Sequence, residues 1–311
     1  MTDTPPFAPA PQLPSGRRTW PELLACRRPL IMGILNVTPD SFADQGRHFD
    51  QDAALAQARD LVAAGADILD VGGESTRPFA EPVPLEEELR RVIPVIRTLA
   101  PKIPIPISID TYKAPVARAA LAAGASIIND ISALRFDPEM APLAAGSGVA
   151  VILMHMQGTP RDMQQHPHYH DLLGEISAFF RERLEFAESR GIPRELLVLD
   201  PGIGFGKTWE HNLEIFRRLE VFLELGCPLL VGPSRKAFIG RITGLPAGPE
   251  RDVPTLAALL AAVRGGASIL RTHNVAHARQ FFAVWEAIYP NNFWLYSNKI
   301  PGDHAKERPR P

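Results

Sequence analysis

Eight short apolar runs, rich in Ile, Val and Leu, punctuate the chain. They are "LIMGILN" (30–36), "DILDVG" (67–72), "IPISID" (105–110), "SIIND" (126–130), "VAVILMH" (149–155), "LLVLD" (196–200), "PLLVG" (228–232) and "SILRTH" (268–273). None alternates cleanly between apolar and polar, so they read as strands covered on both faces. Between them lie longer Ala- and Leu-rich stretches with helical spacing, among them "DAALAQARDLVAAGA" (52–66), "LEEELRRVIPVIRTLA" (85–100) and "DLLGEISAFFRERLEFAESRG" (171–191). "AGA" or "GGA" stands just before a strand at 64–66, 123–125 and 265–267, as expected of a glycine that ends a helix ahead of a short turn. Eight such strand–helix units predict an α/β protein with a single (β/α)8 barrel. An open doubly wound sheet is the competitor; the strand count and the lack of any break in composition favour the barrel. The expected domain is 19–290, flanked by a Pro-rich tail (1–18) and a C-terminal tail (291–311), both read as disordered.

A barrel carries its chemistry where the strands end. Those ends, or the loops just beyond, hold Asn36, Glu74 to Arg77, Asp110, Asn129, Asp130, His155, Asp200, Ser234 to Lys236 and Arg271 to His273. Any one of them has an ordinary explanation as a cap or turn residue. Polar groups at nearly every strand end are better explained by a site for a polar small molecule. Composition narrows the field further. With 33 basic against 35 acidic residues, nothing favours a nucleic-acid partner. No apolar run is long enough for a membrane span. Two cysteines, Cys26 and Cys227, suit a reducing cytoplasm better than a disulfide scaffold.

The stretch "LDPGIGFGKT" (199–208) invites comparison with a nucleotide phosphate loop. That loop requires G-x-x-x-x-G-K-[ST], and the position of the first glycine is occupied by Pro201. The glycines also miss the dinucleotide spacing. The stretch therefore reads as a tight strand-end loop exposing backbone and one aromatic, Phe205, with Lys207 and Thr208 its least important residues. "HPHYH" (166–170) lacks companion ligands nearby and reads as loop histidines rather than a zinc site.

Eight blocks, in order and at barrel spacing, resemble the dihydropteroate synthase family: "MGILNVTPDSF" (32–42), "DILDVGGESTRP" (67–78), "PISIDT" (106–111), "IINDIS" (127–132), "LMHMQGTP" (153–160), "LDPGIGFGK" (199–207), "LVGPSRKAFIG" (230–240) and "ILRTH" (269–273). The resemblance implies a (β/α)8 barrel that joins p-aminobenzoate to 6-hydroxymethyl-7,8-dihydropterin pyrophosphate with loss of pyrophosphate. It implies Mg2+ as cofactor, those two small molecules as partners, and a homodimer. Matched to the family motifs, Asp110, Asn129, Met154, Asp200, Phe205, Gly232 and Lys236 fall on pterin-binding positions. Asn36, Arg77, Arg271 and His273 fall on pyrophosphate-binding positions, with Asn36 also the metal position. Phe42, Thr76, Pro78, Phe205, Ser234 and Arg235 fall on the p-aminobenzoate site. Asp110, Lys236 and Asp44 are the expected catalytic residues, and Asp110 is expected to stabilise positive charge on the pterin methylene as pyrophosphate departs.

Several residues depart from the commoner family pattern: Ala43 and Gln45 in the first loop, Tyr112, Pro233 and Asn274. None removes a residue expected to carry chemistry. Two other readings share part of the pattern. A folate–corrinoid methyltransferase would share the pterin-facing residues without needing "GESTRP" and "SRK". A non-catalytic pterin-binding relative would bind without releasing pyrophosphate; Arg77, Lys236 and Arg271 argue against it.

Overall fold

The computed structural model describes residues 18–26, 28–38, 51–75 and 80–289. All eight expected strands form: β1 Leu30–Asn36, β2 Ile68–Gly72, β3 Ile107–Asp110, β4 Ile127–Asp130, β5 Ala150–Met154, β6 Leu197–Asp200, β7 Leu230–Val231 and β8 Ile269–Thr272. They pair in parallel in the order β6-β5-β4-β3-β2-β1-β8-β7. A parallel bridge from Leu199 to Leu229 brings β6 against the β7 side and completes the ring. The open-sheet alternative is thereby excluded.

The missing alternation in the sequence has a direct cause. Residues of one parity, including Leu30, Met32, Ile68, Ile127, Ile152, Val198, Leu230 and Ile269, fill the barrel interior. Those of the other parity, such as Ile31, Leu35, Val71, Ile109 and Leu270, pack beneath the surrounding helices. Each fully buried aliphatic side chain contributes about 1.5–3 kcal/mol relative to exposure. The short helix Trp20–Leu24 packs Leu23 and Trp20 against the inner cluster.

The helices expected at 52–66, 85–100 and 171–191 run from Gln51–Ala63, Leu85–Leu99 and Leu172–Ser189. The last is capped by Asp171, whose carboxylate accepts from the Gly174 amide at 3.1 Å. The glycine-bearing turns are one device used three times. Gly65, Gly124 and Gly266 have φ of 93°, 110° and 95°. The next residue's amide then reaches back into the helix: Ala66 to Leu61 and Ala125 to Ala120 at 3.0 Å, Ala267 to Ala262 at 2.9 Å. Strand β7 is shorter than the run 228–232. Pro228 has no N–H for the ladder, although its carbonyl still accepts from the Leu199 amide at 3.0 Å.

On the outside, the helices Asp252–Arg264 and Val275–Ile288 share an apolar face that is exposed among the described residues. Val253, Val284 and Ile288 are 68%, 62% and 62% exposed there, with Tyr289 beside them. Among the described residues, no helix is long and apolar enough to cross a membrane.

Candidate active site

Strand register gathers the polar ends on one rim. Asn36 stands opposite Gly72, Gly72 opposite Asp110, Asp110 opposite Asn129, and Met154 opposite Asp200. At the centre lies Arg271 of β8. Its Nε donates to Asp70 Oδ2 at 2.7 Å and its Nη2 to Asp110 Oδ2 at 2.6 Å. Asn129 Nδ2 donates to the same Asp70 oxygen at 3.2 Å. The planar fork of an arginine can serve two carboxylates at once, which a lysine cannot match. Asp70 is fully buried, whereas the side chains of Asp110 and Arg271 keep 11% and 20% of their surface exposed.

Asp70 was not among the residues expected to matter. It had left a signal: a carboxylate in the middle of an apolar strand is tolerated only with a partner. Burial pushes the Asp110 carboxyl up to about 7. Asp70 and Glu88 act in the same direction, against Arg271 and Lys236. Burial likewise pushes Asp200 up to about 6, opposed by the Gly202 amide it accepts from at 2.8 Å and by Arg271 and Lys236.

Beside this polar floor is an apolar wall of Ile131, Met154, Met156, Met163 and Phe205, with Tyr112 packed against it. The Lys236 ammonium lies 4.0 Å from the centroid of the Phe205 ring, a cation–π arrangement. At Gly232 a β-carbon would stand in ordinary van der Waals contact with the Arg271 stem, 3.5 Å away. The arrangement offers a flat apolar surface edged by carboxylates, an amide and cations.

The loop 201–206 explains its own glycines. Gly202 and Gly206 have φ of 66° and 60°, and a β-carbon on Gly202 would sit 2.1 Å from the His155 carbonyl oxygen. Tight turning and close backbone contact require them. The structure gives Lys207 and Thr208 places that the sequence reading withheld. Thr208 caps the helix Trp209–Arg217, accepting from the His211 amide at 3.2 Å. Lys207 is 3% exposed and turned beneath the loop. Tyr169, the fourth residue of "HPHYH", donates to the Gly206 carbonyl at 2.8 Å.

Ser234 and Arg235 carry their side chains inward. Ser234 Oγ lies 2.9 Å from His273 Nδ1 and accepts the His273 amide at 3.1 Å. Burial, with Arg235 and Arg271 nearby, lowers His273 to about 3, so its imidazole is neutral. Ser234 Oγ and the neutral ring share one hydrogen bond at Nδ1, whose direction follows the tautomer. Arg235, at φ 59°, forks onto Asp252 at 2.7 and 2.9 Å. Asn274 Nδ2 donates to the same carboxylate at 3.1 Å. The Asn274 departure thus has a reason here: an aspartate would set a second negative charge beside Asp252. Tyr112 also has a partner, its hydroxyl donating to Glu74 Oε1 at 2.6 Å. Glu74 and Glu88 both pair with Lys113, which fixes the base of the loop leading to residue 76.

Asn36 ends β1 on the inward parity, half-buried. Among the described residues, no group of three His, Cys, Asp or Glu could hold a metal ion. Phe42, Asp44, Thr76, Arg77 and Pro78 lie outside the described residues.

A closed parallel barrel with a charged, partly apolar slot at its C-terminal rim defines a barrel enzyme acting on a small polar molecule. Comparison with known proteins narrows this. Residues 32–273 match the pterin binding enzyme family. A dihydropteroate synthase of Synechocystis sp. is 48% identical over 263 residues, 85% of this chain and 91% of that protein. The structure of Xanthomonas albilineans dihydropteroate synthase with 4-aminobenzoic acid superimposes with a TM-score of 0.81 at 47% identity, covering 86% of this chain and 94% of that one. The complex of the Xanthomonas albilineans enzyme with 7,8-dihydropteroate gives 0.78 at 44% identity, covering 86% and 95%. This chain belongs to the dihydropteroate synthase family of pterin binding enzymes and is a transferase.

Proposed function

We propose that this protein joins 6-hydroxymethyl-7,8-dihydropterin pyrophosphate to p-aminobenzoate, giving 7,8-dihydropteroate and pyrophosphate in folate biosynthesis. The observation that carries the reading is the Arg271 fork between Asp70 and Asp110 at the foot of the Phe205–Met154 wall. It sets an anion-seeking cation and a carboxylate side by side, where a leaving pyrophosphate meets a developing cation.

The pterin ring lies against Met154 and Phe205, beside Gly232. Asn129 and Asp200 meet its polar edge, Asp200 accepting from two N–H groups together, and Lys236 supplies a further donor. Arg77, Arg271 and neutral His273 hold the pyrophosphate. Asn36, an uncharged oxygen ligand with no cluster of metal-binding side chains among the described residues, fits a magnesium ion that keeps its waters and substrate phosphates. Such an ion would neutralise charge on the leaving group. As the methylene C–O bond breaks, pyrophosphate leaves with the electron pair. Asp110 stabilises the positive charge left behind, and Asp44 is the further catalytic residue that the family pattern implies. The amine lone pair of p-aminobenzoate then forms the C–N bond, and the nitrogen gives up a proton. We place the aromatic amine against Phe205, between the segments carrying Phe42, Thr76 and Pro78 and the Ser234–Arg235 turn. Since both side chains of that turn are engaged inward, its backbone faces the carboxylate.

The test is turnover: purified protein with both substrates and magnesium should release dihydropteroate and pyrophosphate in equal amounts. Failure to form either would end this reading. The pH profile gives a second test. Asp110 and Asp200 must be ionised to act, and burial raises them to about 7 and about 6. kcat/KM for the pterin substrate should therefore fall as pH drops through 7, and fall more steeply below 6. A flat profile from 5 to 8 would contradict their roles.

We also propose a homodimer in the cytoplasm. Two free cysteines, Cys26 and Cys227, suit a reducing compartment. The exposed face of Val253, Val284 and Ile288 is the surface a second copy would bury. Val284→Asp should shift sedimentation from dimer toward monomer without unfolding the chain; a wild-type monomer at micromolar concentration would refute the assembly.

A further inference from the structure

The most unusual buried group outside the described chemistry is the lysine of "GFGKT". Its Nζ lies 2.9 Å from His155 Nδ1, donates to the Phe205 carbonyl at 2.9 Å, and approaches the His155 carbonyl at 3.4 Å. The side chain crosses under the loop and fastens its far end to the end of β5. His155 is itself fixed. Its amide donates to the Asp200 carbonyl at 2.8 Å, and its ring stands edge-on to Phe179, centroids 4.9 Å apart. Further ties come from the segment after β5, where Tyr169 holds the Gly206 carbonyl and Gln164 Nε2 holds that of Gly204 at 2.7 Å. From the other side, Asn212 Oδ1 accepts the Gly204 amide at 2.7 Å. The loop is thus held by side chains from three segments of the chain, and Lys207 is the charged member of the set.

We propose that Lys207 is a positioning residue: it clamps the 201–206 loop to the end of β5, and so sets where Phe205 and Asp200 meet the two substrates. The clamp rests on the synthase reading of the site. Its direction is opposite to that of a phosphate-loop lysine, because the amine points beneath the loop instead of toward a ligand above it. Burial lowers Lys207 to about 7 while Asp200 holds it up and Lys236 pushes it down. Burial also keeps His155 well below its ordinary value. The pair therefore carries at most one positive charge near neutrality, and Nζ can bond His155 Nδ1 in either charge state.

The experiment is Lys207→Met, which keeps length and bulk but removes the clamp. Removing the amine leaves the Phe205 carbonyl and His155 Nδ1 without their donor, so the melting temperature should fall modestly while the chain still folds. The KM for p-aminobenzoate should rise about tenfold or more, because a small displacement of a substrate-facing ring is costly. Inhibition by inorganic pyrophosphate should stay within about twofold of wild type, since Arg271 and not Lys207 meets the anion. Tyr169→Phe removes a neighbouring tie without touching charge, and should raise the same KM to a smaller extent.

Folded Lys207→Met with unchanged KM values would overturn the clamp. Weakened pyrophosphate inhibition with an unchanged p-aminobenzoate KM would also overturn it, marking Lys207 as an anion ligand. If Lys207→Met does not fold, Tyr169→Phe decides: wild-type KM values there refute the clamp. Wild-type turnover is the separate control. Its absence would count against the synthase reading, while the clamp is judged from variant against wild type by binding of p-aminobenzoate.

Discussion

Asp110→Asn should lower kcat on the order of 100- to 1,000-fold, the usual loss when a charge aimed at a transition state is removed. The amide keeps the shape of the carboxylate and an oxygen for Arg271 Nη2, so Arg271 stays in place, still held by Asp70 on its Nε edge. What disappears is the negative charge beside the pterin methylene. Stability should move the other way. The Asp110 carboxyl is raised to about 7 from an ordinary 3.8. Its contribution to folding is therefore fully present below 3.8 and lost as pH rises through 7. The variant has no such loss, so its melting temperature should overtake that of wild type progressively between pH 4 and 8. A charge kept at a cost to the fold is the mark of a group retained for function. Near-normal turnover by a folded Asp110→Asn protein would remove Asp110 from the chemistry.

Arg271→Ala should be the most damaging single change in the site, because it fails twice. The fully buried Asp70 loses its ion pair and Asp110 loses the guanidinium that pairs with it at 2.6 Å. Breaking one side of a buried pair costs about 3–5 kcal/mol. Without the arginine, the Asp110 carboxyl is pushed higher still, so less of it is charged at neutral pH. The pyrophosphate also loses a fork-shaped partner. The KM for the pterin pyrophosphate should rise at least 100-fold, a loss of about 2.7 kcal/mol or more. Arg271→Lys separates the two effects. It restores charge but cannot bridge two carboxylates, so it should recover much of the melting temperature and little of the affinity. Equal recovery of both would mean that charge alone, without the fork, suffices.

The barrel was legible because strands covered on both faces leave unbroken apolar runs, and because Gly65, Gly124 and Gly266 mark the turns before three of them. Strand-end position also identified Asp110, Asn129, Asp200 and Arg271. What the sequence hid were directions and partners. Arg271 and Asp70 are 201 residues apart, and no local pattern announces that they meet. Lys207 follows three glycines and looks solvated, yet the left-handed turns at those glycines carry it under the loop. Ser234 and Arg235 stand at a strand end, as the substrate contacts do, but a left-handed backbone at Arg235 turns the pair toward His273 and Asp252. Tyr169 drew notice only for the histidines beside it, and its contact with Gly206 depends on how the segment after β5 folds back.

The adjacency of β1 and β8, with Met32 opposite Arg271, bears on how the chain comes into being at the ribosome. The first strand waits for the last. Until β8 has emerged, Asp70 lacks the Arg271 partner it has in the folded protein, and a barrel closed around it would bury a charge without that pair. Completion of the C-terminal strand supplies both the last strand of the barrel and the cation that pairs with Asp70, so closing the fold and completing the centre of the site depend on the same strand.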